Sequence, residues 1–125
     1  MADQTRLFEA GPDPFGRMWK VQFRWLQTGI SIRHADTVDV KFFVTPDAGE
    51  TAEKVIALPH AELLRLYRER NRKLSDPDCM RLAATHLKRM IETTEDMDKV
   101  LVTVRPAELA AYVQESHGVT APDAV

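Results

Sequence analysis

A single cysteine, Cys79, is present, so no internal disulfide can form. The lack of a disulfide framework fits a reducing compartment, and a cytoplasmic location is expected. The five glycines are scattered, and none forms a phosphate-cradling loop. G-x-S-x-G, H-E-x-x-H and C-x-x-C are also missing. "HAE" at 60–62 and "DPDC" at 76–79 match fragments of the zinc-deaminase signature. The second cysteine of P-C-x-x-C is absent, so the ligand count fails. "ETTEDMD" is acidic but lacks the spacing and the glycine of an EF-hand loop. No cofactor and no metal are expected. No apolar run approaches the ~18 residues needed to cross a bilayer. The opening "MADQTRLFEAGPDPFG" has no basic stretch leading into an apolar one, so neither a secretory leader nor a membrane partner is expected.

What is present is ordinary globular material. The chain has 125 residues, 44% hydrophobic and 29% charged. A chain of this length buries roughly two-thirds of its unfolded surface and needs no staple to hold a core. Its net charge of −2 is unevenly spread. Between Arg65 and Arg89 eight Lys/Arg face only Glu69, Asp76 and Asp78, giving +5 there and −7 elsewhere. Segregated charge creates a local field that the total conceals.

The organisation follows from periodicity. Residues 1–16 are predicted to be an N-terminal tail, because Gly11, Pro12, Pro14 and Gly16 read as linker. Residues 17–117 form one domain, and 118–125 a C-terminal tail that begins at the helix-stopping Gly118. "MWKVQFRWL" alternates, with Trp19, Val21, Phe23 and Trp25 on one face; the aromatic row is read as core. From Ile30 to Val44 the even positions are apolar except His34 and Asp36, giving one strand or two. "TPDAGETAE" is a hairpin loop and "KVIAL" a strand. "HAELLRLYRERNRKL" is a helix opened by Pro59. A second begins at "SDPD", where Ser75 or Asp76 caps and Pro77 follows, and runs to about Ile91. "KVLVTV" and "PAELAAYVQESH" add a strand and a helix. The order β-β(-β)-β-α-α-β-α predicts an α+β fold, an antiparallel sheet of four to five strands with three helices on one face. "VIALPHAELLRLY" and "VLVTVRPAELAAYV" share a strand, a proline and Ala-Glu-Leu, as two β-to-α corners with the same local chemistry.

Two constellations could carry function. At 100° per residue Arg65, Arg68 and Arg72 fall within about 60° on the first helix, opposite Leu63, Leu66, Tyr67 and Leu74. Arg81, Lys88 and Arg89, with Thr85, take the outer side of the second. Arginine forks match carboxylates and phosphates bidentately. The expected role is a small non-enzymatic interaction or regulatory module that meets an acidic partner through this ridge. Self-association is a further expectation, through the ridge against acidic surface of a second copy or through a sheet edge. The alternative is nucleic-acid binding by the same face, against which stand the isoelectric point of 6.1 and a turn without glycine. Glu62 and Glu69 also lie within pairing distance of Arg65, Arg72 and Lys73. The second constellation is His34 and Asp36, which in a strand share a face and would give a small enzyme its base. A turn at "HAD" would instead place both in solvent.

Overall fold

The computed structural model describes residues 7–29 and 36–118. It is an α+β fold. Strands β1 (Leu7–Ala10), β2 (Trp19–Gly29), β3 (Thr37–Pro46) and β4 (Ala52–Pro59) precede helices α1 (His60–Glu69) and α2 (Asp76–Thr93). Strand β5 (Leu101–Thr103) and helix α3 (Pro106–Val113) follow, and Gln114–Gly118 adds one wider turn. The sheet order is β1-β2-β3-β4-β5. The first four strands form an antiparallel meander, while β5 joins β4 in parallel, so the sheet is mixed rather than wholly antiparallel. The reason is topological. The α1–α2 pair brings the chain back across one face, so the next strand enters in the direction of the last.

The alternation in β3 holds throughout: Val38, Val40, Phe42 and Val44 are buried and their odd neighbours half-buried. Those side chains, with Val21, Ile56 and Leu58, meet the apolar arcs of the helices (Leu63, Leu66, Leu82, Leu87, Ile91, Leu109) in one core. The two similar segments are the β4–α1 and β5–α3 corners, side by side on parallel strands. Register pairs Val55 with Leu101 and Ile56 with Val102, and the same offset carries Leu63 to Leu109, both fully buried.

The stretch expected to be a tail is partly sheet. Leu7–Ala10 pairs with Trp19–Gln22. Asp13 folds the intervening loop. Its carboxylate accepts hydrogen bonds from the backbone N–H of Phe15 and Arg17, from Arg17 Nε, all at 2.9 Å, and from Trp19 Nε1 at 3.0 Å. Burial would raise its pKa, but these donors outweigh it and bring the carboxyl from 3.8 down to about 2. A depressed folded pKa means that its stabilising contribution is complete above the unfolded value of 3.8 and is lost as pH falls toward 2. Asp13→Asn is expected to remove that acid dependence and to speed amide exchange in β1. Unchanged exchange would show that the loop holds without the carboxylate.

A second difference lies in β2. Register shifts between Phe23 and Trp25, so Phe23 faces Phe42 while Trp25 faces Lys41. A bulge of this kind reverses side-chain parity beyond it. Trp19 and Phe23 pack against the core, but Trp25 emerges on the face that carries no helix.

The third difference is the end of α1. Sequence periodicity runs the helix to Leu74, whereas it ends at Glu69. Asn71 takes the left-handed conformation at φ 59°. Its N–H donates to Arg68 O at 3.0 Å and the Arg72 N–H to Tyr67 O at 2.9 Å, the paired closure of a Schellman stop with asparagine in place of glycine. Helix α2 begins as its sequence requires. Ser75 caps it, its side chain accepting from the Asp78 N–H while the Asp78 carboxylate accepts from the Ser75 N–H.

Candidate interaction surface

The structure separates the basic side chains that the sequence groups together. Arg65 is engaged on both sides, by Glu62 and by Glu69, the latter at 2.7 Å. The Glu62 hydrogen bond and charge, with Glu69 behind them, raise its pKa further. Arg81 pairs with Asp78 at 2.6 Å. Arg89 pairs with Glu108 at 3.2 Å and donates to the Tyr112 hydroxyl at 3.3 Å. These three arginines serve internal contacts. Lys88 stands exposed on the outer side of α2.

Arg68 and Arg72 are different. Both are exposed, and neither has a carboxylate partner among the described residues. Arg72 is not on the helix, because the Asn71 turn intervenes. That turn nonetheless sets it beside Arg68 on the rim of one open depression of about 430 Å³, together with Lys73. Leu64 and Leu74 line the same depression. A second depression of about 350 Å³ shares Leu64, Lys73 and Leu74 and continues past His60 to Leu26 and Asp76. The two make a groove with an apolar floor, three cations at one end and one carboxylate at the other. Leu64, 41% exposed, is the feature the sequence underplays. It follows Leu63 directly and so falls outside the i, i+3, i+4 stripe that packs inward. Cys79 also borders the groove, but burial, with Asp76 and Asp78 nearby, pushes its thiol up to about 12. It stays protonated and unreactive at neutral pH.

His34 lies outside the described residues. Asp36 is exposed, and its carbonyl accepts from the His60 N–H at 3.1 Å, which positions the start of α1.

A histidine that periodicity assigns no role has the more organised surroundings. His86 is buried, with Nδ1 2.7 Å from the Tyr112 hydroxyl. Arginine can only donate, so Arg89 fills one acceptor site on that hydroxyl, while the direction of the His86–Tyr112 hydrogen bond follows the imidazole tautomer. The Arg89–Tyr112–His86 chain, closed by Glu108, locks α2 to α3. Burial holds the His86 pKa below 6.5 and Arg89 acts the same way, against the raising effects of Glu108, Asp96 and Glu95. An unfolded histidine takes up a proton below that value while the folded one resists, so stability is complete above about pH 6.5 and declines as pH drops below it. Denaturant midpoints measured from neutral to mildly acidic pH are expected to fall in the parent and to fall less steeply in His86→Gln. Equal slopes would assign the acid sensitivity elsewhere.

No protein-family model matches this chain, and neither does any curated protein or solved structure.

Proposed function

We propose that this chain is a small non-enzymatic interaction module that docks an acidic segment of a partner protein in the groove at the α1–α2 turn. One observation carries the proposal. Arg68, Arg72 and Lys73, free of internal carboxylates among the described residues, rim a floor made by Leu64 and Leu74. A bare polyanion needs only the cations. An apolar floor adds stabilisation only for a ligand that carries an apolar side chain between its acids, as an Asp/Glu-rich peptide with one Leu or Phe does. The field of the clustered cations speeds encounter with such a ligand and loses strength with salt.

Fluorescence anisotropy with a labelled peptide of that composition tests it. Arg68→Ala with Arg72→Ala removes two charged contacts of about 1 kcal/mol each, so binding is expected to weaken by about 30-fold. Leu64→Ala is expected to weaken it as well. If the double variant binds the peptide as the parent does, the groove is not the contact surface. If a DNA duplex binds more tightly than the peptide and loses affinity in the double variant while Leu64→Ala has no effect, the partner is nucleic acid.

A further inference from the structure

A second surface lies on the other side of the molecule. The core cluster is built from the side chains of one sheet face; on the opposite face Ala57 is also buried, and the other apolar side chains named below are half-buried or exposed. Register lines up Trp25, Lys41, Val55 and Leu101 in one row across β2 to β5. The next row holds Leu7, Gln22, Phe43 and Glu53. Leu7 is 64% exposed, Leu101 58% and Trp25 37%. The rings are dressed with cations: Arg24 stands 4.9 Å from the Phe43 centroid, and Lys41 5.7 Å from that of Trp25 and 5.6 Å from that of Phe43.

We infer that this open sheet face binds a second copy of the chain, face to face about a two-fold axis. Charge decides the occupant. Among the described residues Lys20, Arg24 and Lys41 share the face with Glu9, Asp39 and Glu53, Lys41 pairing with Glu53 at 2.5 Å, so both signs are present in equal number around an apolar centre. A polyanion would meet three carboxylates there. An identical face is balanced in the same way and brings no net charge against it, as an isologous contact requires. The α1–α2 groove, with Arg68, Arg72 and Lys73 against the single carboxylate of Asp76, has no such balance. Sheet-edge pairing is the weaker route, because among the described residues the edges are β1 with four residues and β5 with three, too short to template a long ladder. Sheets that pack through their faces bury interdigitated apolar side chains, and Trp25, Phe43, Val55 and Leu101 supply them. The inference is independent of the groove, since the two surfaces share no residue.

Sedimentation velocity over a concentration series tests it. The parent is expected to pass from monomer to dimer in the micromolar range. Trp25→Ala removes a central aromatic and is expected to weaken dimerisation by about 30-fold. Leu101→Glu, at an exposed position on a different strand, is expected to weaken it too, which separates loss of the interface from any misfolding at the β2 bulge. Arg68→Ala with Arg72→Ala should leave the dimer intact. A parent that stays monomeric at about 0.5 mM would overturn the inference, as would a dimer unaffected by both sheet-face variants. A single-stranded oligonucleotide that quenches Trp25 while the chain remains monomeric would also overturn it.

Discussion

Phe42→Ala is expected to destabilise the protein by about 3–5 kcal/mol, the range for truncating a fully buried aromatic. Phe42 has no exposed surface and sits on β3, the middle strand of five. It packs edge-on against Phe23 of β2, with ring centroids 6.2 Å apart, and lies opposite Lys54 of β4. The void could not collapse easily, because both flanking strands are fixed in register. For a chain of this size the loss corresponds to a melting temperature lower by about 10–20 °C. Phe15→Ala is the control. Phe15 is 76% exposed, with the Arg17 guanidinium 5.7 Å from its ring centroid. Its replacement should change stability by less than about 0.5 kcal/mol. Equal losses at the two positions would mean that the sheet does not bury β3 as described.

The second large effect concerns specificity. Arg68→Glu with Arg72→Glu turns three cations at the groove rim into one cation and two carboxylates. Where neutralisation only weakens an acidic peptide, reversal opposes it, and like charges across an interface cost several kcal/mol. Affinity for the acidic peptide is expected to fall by more than about 100-fold. A peptide with the same apolar residue and lysines in place of its acids is expected to bind the variant and not the parent. Stability should change little, since both sites are exposed; Arg68→Glu also loses a favourable place in the last turn of α1, worth about 0.3–1 kcal/mol. Weak binding of both peptides by the variant would mean that the floor, not the rim, sets recognition.

How far the sequence could be followed depended on the range of each interaction. The alternation of β3 and the "SDPD" start of α2 are local signals, and the structure repeats them. The Asn71 stop was also legible, since asparagine is the usual substitute for glycine in a left-handed cap, but the apolar period continues to Leu74 and masks it. β1 has four residues and no alternation to detect, and it depends on Asp13 bonds that form only once the loop closes. The bulge that turns Trp25 outward involves no glycine or proline, so parity alone placed that side chain on the wrong face. At the candidate site, the cations were plain from composition. The neutralisation of Arg65 could be anticipated from Glu62 and Glu69, three and four residues away. The pairing of Arg89 with Glu108 could not, because it joins different helices.

The most direct test is to titrate the acidic peptide into isotope-labelled protein and follow backbone amide shifts. Changes confined to Leu64, Tyr67, Arg68 and the Asn71–Leu74 turn are the predicted result. Shifts centred on β2 and β3, or none at peptide concentrations well above those of the protein, would contradict the proposal that the groove at the α1–α2 turn receives an acidic partner.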